Sequence, residues 1–236
     1  MLPQFCHTLS VLLILAPLSG AASETEWSTK GDFKLKAVKV GKTDWAKPPQ
    51  RWMKTRDFEL SEPGFDRQHH TLRLTIQGKS KLDKLLSLIA SVEAPVNGYD
   101  AVHWKARVKP PAPASTLTVG EIVAWIKATP NQPHAIGRYQ IIPDTLAYLV
   151  KAEAVRSSDV FTPALQDRLA IRLLKNAGLL AFQKGDMTRA EFMDSVAKVW
   201  AGLPLSSGKS AYDGYAGNRA IITRKEYASA FARIYP

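Results

Sequence analysis

The chain has 236 residues, and its 32 Lys and Arg against 21 Asp and Glu give a formal net charge of +11. Its 45% of hydrophobic residues excludes a disordered chain, and its single cysteine excludes a disulfide framework or a zinc site built from several thiolates. The positive charge predicts an anionic partner without choosing among nucleic acid, lipid and cell-wall polymer.

The N-terminus has the layout of a secretory signal. An apolar run at residues 9–18 precedes the small residues 19–23, and cleavage is expected after Ala22. The run is shorter than the roughly 20 apolar residues of a membrane span, so no stable span is expected after cleavage. The alternative is a buried N-terminal strand or helix. Export to the periplasm or beyond makes nucleic acid an unexpected partner and favours the anionic polymers of the bacterial envelope.

Residues 23–80 are predicted to form an N-terminal accessory segment. Trp27, Trp45 and Trp52 stand among many lysines, and alternating apolar and polar residues at 33–37 and 71–77 predict two short strands. We expect a small β-containing arm or module, through which an envelope or secretion-system partner would bind. The alternative is a partly disordered spacer.

Residues 81–236 have the pattern of a mainly α domain. Four capping boxes mark helix starts, and they lie at Ser80 and Asp83, Thr118 and Glu121, Thr188 and Glu191, and Thr223 and Glu226. Pro143 and the pair Thr162-Pro163 open two more helices, and Gly178 ends the second of these. The sequence therefore predicts six helices, with a loop-like, Pro-rich segment between Ala94 and Leu117.

Glu93 is the candidate general acid. It lies at the C-terminal end of the first predicted helix, and its neighbours on that helix, Ile89 and Leu86, are apolar. A carboxyl held against apolar surface keeps its proton to higher pH, which a general acid near neutral pH requires. The alternative is an ordinary solvated glutamate at a helix end. The nearby Tyr99 is a candidate for substrate binding.

Two later stretches carry further candidates for binding a sugar. Gly137 permits close backbone approach, Tyr139 offers a flat face, and Gln140 offers both a donor and an acceptor to an N-acetyl sugar, with Arg138 between them. The alternative is a loop with one core tyrosine. Trp200 and Tyr212, at the other stretch, are candidates for lining a saccharide groove, although core packing explains Trp200 equally well.

These motifs, in this order, resemble the lambda-phage endolysin family of lytic transglycosylases. The resemblance spans Leu82 to Tyr227 and rests on Glu93, Gly-Arg-Tyr-Gln-Ile-Ile-Pro-x-Thr, Phe161-x-Pro-x-x-Gln-Asp and Trp200-Ala-Gly-Leu-Pro. It implies a lysozyme-like α+β fold that is mainly α and acts on peptidoglycan. Glu93 would match the catalytic glutamate, and Tyr139 and Gln140 the groove. The segment between Glu93 and Gly137 differs from the family.

The mechanism that we predict uses one carboxyl. Hydrolysing glycosidases need two carboxylates, whereas a lytic transglycosylase needs one, which protonates the glycosidic oxygen and then takes the proton of the muramyl 6-hydroxyl. Asp100, the other nearby carboxylate, is expected to be structural. The alternatives are lysozyme-type hydrolysis of the same bond and a non-catalytic wall-binding or secretion-apparatus protein on this fold. The histidines show no ligand spacing, so we expect neither a metal nor a cofactor.

Overall fold

The structure is a computed structural model that describes residues 74–215 and 217–236. The predicted signal peptide at 1–22, the accessory segment up to residue 73 and its expected strand at 33–37 lie outside these residues. The expected strand at 71–77 is not formed at 74–77. Instead, the Gln77 amide donates to Ser87 Oγ at 3.2 Å, and Ser87 Oγ donates to the Thr75 carbonyl at 3.0 Å.

The described residues form a mainly α domain, as the sequence predicts. The helices are α1 (Lys81–Glu93), α2 (Val119–Ala128), α3 (Pro143–Ala152), α4 (Pro163–Asn176), α5 (Leu179–Lys184), α6 (Arg189–Ala197) and α7 (Arg224–Ile234). Two short 3-10 helices, Gly98–Asp100 and Ala114–Thr116, interrupt the long loop between α1 and α2. In the described ranges no helix combines the length and apolar character that crossing a membrane requires.

The helix starts follow from local hydrogen bonding. All four predicted capping boxes are formed, so side chains satisfy the first amides of α1, α2, α6 and α7. Pro143 and Pro163 open α3 and α4 as predicted. The predicted count of six is one short, because α5 begins directly after Gly178, at φ 99°, without a side-chain cap. Helix α5 has six residues and begins with neither a capping side chain nor a proline, so it lacks both start signals that predict the other helices.

β structure in the described residues is limited to isolated bridges. Ile136 pairs antiparallel with both Val102 and Ile141, which gathers three chain segments at one place. The turn between Ile136 and Ile141 contains residues 137–140, and it is held by backbone hydrogen bonds of 3.1 and 2.9 Å between the two isoleucines. The predicted sugar-binding stretch is therefore a tight turn rather than an open loop.

Helix α1 runs through the core and positions Glu93. Leu85, Leu88 and Ile89 on this helix are fully buried, and α1 packs against α4 and α7. Fixing a helix on two neighbours restricts the position of its last residue, because rotation or sliding would expose this apolar face. Glu93 is therefore the last residue of a helix that is held rigidly in the core.

Removing the cap of α7 should weaken this support without touching the site. We expect Thr223→Ala to lower the free energy of unfolding by about 1 kcal/mol, because the Glu226 amide loses its acceptor. Thr223→Ser keeps a hydroxyl in the same place and should stay close to the wild-type value. Chemical denaturation of the three proteins measures the difference, and equal losses for Ala and Ser would contradict a capping role.

Candidate active site

Glu93 is partly exposed and has one hydrogen-bond partner from a distant segment. Its Oε1 accepts a hydrogen bond from the Gly202 amide at 3.1 Å. Leu86 and Ile89, its predicted apolar neighbours on α1, are both buried. The carboxyl group therefore reaches the surface from an apolar base.

Burial raises the pKa of Glu93 to about 7, and the hydrogen bond from Gly202 opposes this shift. Loss of hydration disfavours the charged form, whereas an amide donor stabilises it. The shift is opposite to that of Glu121, Glu191 and Glu226, whose pKa values are lowered by hydrogen bonds within their capping boxes. A carboxyl that is about half protonated near neutral pH is able both to donate and to accept a proton there.

Gly202 is positioned so close to Glu93 that no side chain fits. A Cβ at Gly202 would lie 2.5 Å from Val92 Cγ1 and 3.0 Å from Glu93 Oε1. The short approach of the amide to the carboxyl group therefore requires glycine at this position. This residue belongs to the Trp200-Ala-Gly-Leu-Pro stretch, but its neighbours rather than Gly202 were predicted to be functional.

Ile221 borders the same point from another side. The Cβ position at Gly202 would also lie 3.3 Å from Ile221 Cγ1, and the Ile221 amide donates to the Gly202 carbonyl at 2.8 Å. With 44% of its surface exposed, Ile221 is an apolar side chain at the rim of the acid. Ile221 therefore lies beside the glycine whose amide donates to Glu93.

The predicted turn residues Gly137 and Gln140 adopt left-handed backbone conformations, at φ 76° and 44°. Gln140 is partly exposed, and its Nε2 donates to the Gly137 carbonyl at 3.0 Å. A Cβ at Gly137 would lie 2.4 Å from Gln166 Oε1 and 2.9 Å from Phe161 Cε1. Gly137 is therefore required by the packing of the turn on α4, while Gln140 remains accessible.

Gln166 joins three segments around the turn. It is fully buried, its Oε1 accepts from the Arg138 amide at 2.9 Å, and its Nε2 donates to the carbonyls of Tyr99 and Phe161 at 3.0 and 2.9 Å. Every polar atom of this amide group is used within the protein. Gln166 thereby ties the turn to Tyr99, six residues after Glu93.

Tyr99, Arg138 and Asp167 form a polar cluster beside this buried amide. Arg138 Nη1 donates to the Tyr99 hydroxyl at 2.6 Å, and that hydroxyl lies 3.0 Å from both Asp167 carboxylate oxygens. Arg138 Nη1 also lies 3.8 Å from Asp167 Oδ1, and the guanidinium is 4.8 Å from the centroid of the Tyr99 ring. The structure thus brings together Tyr99 and Arg138, two of the predicted site residues.

Tyr139 and Trp200 are buried in the core. The Tyr139 hydroxyl donates to Asp167 Oδ1 at 2.5 Å, and Trp200 Nε1 donates to the Tyr139 carbonyl at 3.2 Å. Burial together with the hydrogen bond to Asp167 raises the pKa of the Tyr139 hydroxyl. The structure gives these two rings a packing role in place of the predicted contact with a ligand, because neither ring presents a face to solvent.

Two further predicted residues have local partners. The Tyr212 hydroxyl donates to the Lys198 carbonyl at 2.6 Å, and the Tyr212 side chain is partly exposed. Asp100 Oδ1 accepts from the Ser115 amide at 2.8 Å, a bond that connects the two 3-10 helices. Tyr212 therefore braces the loop after α6, and Asp100 has the structural contact that the sequence predicts.

Four residues at the site were not predicted as site residues: Gly202, Ile221, Gln166 and Asp167. Gly202, Gln166 and Asp167 lie within quoted motifs, but the motif alone does not say which member contacts the acid or the turn. Ile221 has no local signal, because its relation to Glu93 exists only in the folded chain. Among the described residues, no group of three or more His, Cys, Asp or Glu side chains is arranged to hold a metal ion.

The fold and site define a class of protein: a mainly α domain with one partly exposed, half-protonated glutamate at the end of a buried helix. A comparison with protein families then matches residues 120–229 to the family described as Endolysin. The chain is endolysin-like over these residues, which confirms the resemblance found from its motifs and supports a cell-wall-acting, peptidoglycan-degrading enzyme. No curated protein and no solved structure matches the chain. Glu93 precedes the matched residues.

Gly202→Ala should disturb the acid specifically. The added Cβ must displace Val92 or the Glu93 carboxyl group, so we expect lytic activity to fall at least about tenfold and the pH dependence of that activity to move. Gly208→Ala is the control: a Cβ there would meet nothing within 4 Å, although the left-handed φ of +82° at Gly208 adds a backbone strain that Gly202 does not have. Turbidity loss of purified cell walls across pH measures both variants. A Gly202→Ala enzyme with the wild-type pH profile would contradict the positioning role.

Proposed function

We propose that the protein is an exported peptidoglycan lytic transglycosylase that cleaves the β-1,4 bond between MurNAc and GlcNAc, with Glu93 as its single acid and base. The observation that supports this proposal is the state of Glu93: partly exposed, desolvated, and held by one backbone amide. The endolysin match supplies the substrate polymer in general terms. Export is proposed from the N-terminal apolar run alone.

The proton movements of this reaction need only one carboxyl group. Protonated Glu93 donates its proton to the glycosidic oxygen as the bond to C1 of the muramyl sugar breaks. The resulting carboxylate takes the proton of the muramyl 6-hydroxyl, whose oxygen closes onto C1 to form the 1,6-anhydro ring. The glutamate ends protonated, as it began, and no water is consumed. A pKa of about 7 suits both transfers near neutral pH.

The alternative with two carboxylates requires a second group close to the bond. Retaining and inverting hydrolases place their carboxyl groups about 5 Å and about 6.5 to 9.5 Å apart. Asp100, the nearest carboxylate along the sequence, is bonded to the Ser115 amide. This engagement favours the single-acid mechanism.

Partly exposed side chains around the site are the proposed contacts of the glycan. Ile221 offers an apolar surface beside the acid, suited to a sugar face or an N-acetyl methyl group. Arg138 and Gln140, both partly exposed, offer donors from the turn. The buried Tyr139 and Trp200 hold the turn and the Gly202 segment in place.

Glu93→Gln tests the assignment, because glutamine keeps an oxygen for the Gly202 amide and removes the proton chemistry. We expect a loss of at least about a hundredfold in lysis of purified sacculi. Asp100→Asn is the matched control: it keeps an acceptor for Ser115 and should retain near-wild-type activity. Full activity of Glu93→Gln would refute the proposal, and loss of activity in Asp100→Asn would refute the single-acid mechanism.

The pH dependence of the free energy of unfolding should report the raised pKa of Glu93 independently of activity. The folded-state pKa of about 7 lies above the model-peptide value of 4.5, so the stabilising effect of the protonated group is complete below pH 4.5 and is lost as pH rises through about 7. Relative to the wild type, Glu93→Gln should therefore gain up to about 3 kcal/mol between these limits. Thermal unfolding at several pH values measures the gain, and a difference independent of pH would contradict the raised pKa.

The muropeptides released by the wild-type enzyme decide between the two reaction types. Mass spectrometry should show 1,6-anhydromuramyl ends, which are lighter by one water than the reducing ends of a hydrolase. If the wild type released reducing ends and Glu93→Gln were inactive, Glu93 would still be the acid, but the enzyme would be a lysozyme-type muramidase. If the wild type bound sacculi and released no fragments, the protein would be a non-catalytic wall-binding protein.

Ile221→Asn should lower the pH at which activity declines. A polar side chain at this rim brings water to Glu93 and lowers its pKa, so the alkaline limb of the pH profile should move to lower pH by about one unit. Leu180→Asn is the control, because Leu180 is a similarly exposed apolar side chain, on α5. The pH profile of lysis measures both, and an unchanged limb in Ile221→Asn would show that Ile221 does not shield the acid.

A further inference from the structure

A short loop between Val102 and Lys109 presents apolar and basic side chains together, and its first residue, Val102, pairs with Ile136 at the base of the turn at 137–140. In residues 102–109, here called the Trp104 loop, Trp104 is 64% exposed and Val108 is 55% exposed. Arg107 and Lys109 are exposed as well, and Lys105 is partly exposed. Two exposed apolar side chains among three cations are unusual on a surface that only needs to be soluble.

Hydrogen bonds of its backbone fix the Trp104 loop in this conformation. The His103 amide donates to the Ala135 carbonyl at 2.8 Å, and Val108 exchanges hydrogen bonds of 3.0 and 2.8 Å with the Gln132 side chain. Trp125 Nε1 also donates to the Val108 carbonyl at 3.0 Å, and Ala106 is buried beneath the loop. The fold therefore fixes Trp104 and Val108 in outward-facing positions.

The sequence that follows Asp100 is poor in negative charge, although Asp100 itself lies close to the loop and lines one pocket with Val102 and Lys109. Between Asp100 and Asp144 the sequence contains one acidic residue, Glu121, and its carboxylate is occupied by the cap at Thr118. The pKa of His103 is lowered to about 4 by burial and by Lys105 and Lys109, so this imidazole is neutral. The positive charge of the loop thus comes from its lysines and arginine at any pH near neutrality.

We propose that the Trp104 loop is a docking surface for a membrane that contains anionic lipid. Indole rings favour the interface between lipid and water, and basic side chains beside them are attracted to anionic headgroups. Val108 adds an aliphatic contact, which a lipid surface accommodates. Charge complementarity favours an anionic surface, and the contacts of Trp104 favour lipid over the anionic polymers of the cell wall.

The contacts of Trp104 favour lipid over a sugar chain. Sugars stack on the open face of an aromatic ring, but the Trp104 ring is already stacked with His103 at 6.1 Å between centroids. Lys105 Nζ also lies over it at 4.7 Å. An indole with these contacts is still able to insert its edge between headgroups. Docking in this way would hold the enzyme at the membrane face of the cell wall.

Co-sedimentation with lipid vesicles tests the proposal on the full chain. The wild type should bind vesicles of phosphatidylcholine and phosphatidylglycerol in low salt more tightly than vesicles of phosphatidylcholine alone, and added salt should weaken the binding. Trp104→Ala and Arg107→Glu should each reduce the affinity for the anionic vesicles about tenfold. The N-terminal apolar run is common to all variants, so their differences report the loop alone.

Matched controls lie on α5, where Leu180 is 54% exposed and Lys184 is also exposed. Leu180→Ala and Lys184→Glu should keep the wild-type affinity for vesicles. Lysis of purified sacculi, which contain no membrane, should be unchanged in all four variants, and this readout also shows that each variant folds. Equal affinities for anionic vesicles across the wild type and all variants would overturn the proposal.

A second measurement distinguishes lipid from cell-wall polymer. Brominated phosphatidylglycerol should quench part of the tryptophan emission of the wild type, and Trp104→Phe should lose that part while it still binds vesicles. If Trp104→Ala instead weakened binding to sacculi and left vesicle binding intact, the loop would be a glycan-binding surface and the membrane proposal would be wrong. Both outcomes are independent of the role of Glu93.

Discussion

The hydrogen bond from the Gly202 amide to Glu93 is the contact on which the rest of the site depends. It joins residues 109 positions apart at a place with no room for a side chain. Two opposing effects meet there, because burial raises the pKa of the carboxyl group while the amide lowers it. Burial prevails, and the pKa near 7 depends on the positions of the Gly202 amide and of the apolar face of α1.

The buried aromatic residues hold that contact in place. Trp200 lies two residues before Gly202 and donates to the Tyr139 carbonyl, and Tyr139 in turn donates to Asp167. Asp167 also receives the hydroxyl of Tyr99, in the segment that follows Glu93. The hydrogen bonds thus lead from one side of the acid to the other through the core, and a shift in any member would reach the carboxyl group.

The sequence predicts the local features of this arrangement well. Capping boxes depend on residues three positions apart, so the starts of α1, α2, α6 and α7 are readable from the chain alone. The apolar neighbours of Glu93 are likewise fixed by helical periodicity. Gly202 and Ile221 were not predicted, because their roles arise from closeness in space. For Tyr139 and Trp200 the residue types fit a sugar wall and a core equally, and only the depth of burial separates the two.

The proposed catalysis by a protonated Glu93 requires a strongly basic protein to keep its cations away from that carboxyl group. An opposite charge within about 4–6 Å lowers the pKa of a carboxyl group by one to three units, which would leave Glu93 without its proton at neutral pH. Within the described part of the chain no cation contributes to the pKa of Glu93, whose shift comes from burial and the Gly202 amide. Arg138, in the turn that the site uses, is paired with Asp167 and Tyr99. Lys105, Arg107 and Lys109 lie on the Trp104 loop, and none of them is among the groups that shift the pKa of Glu93.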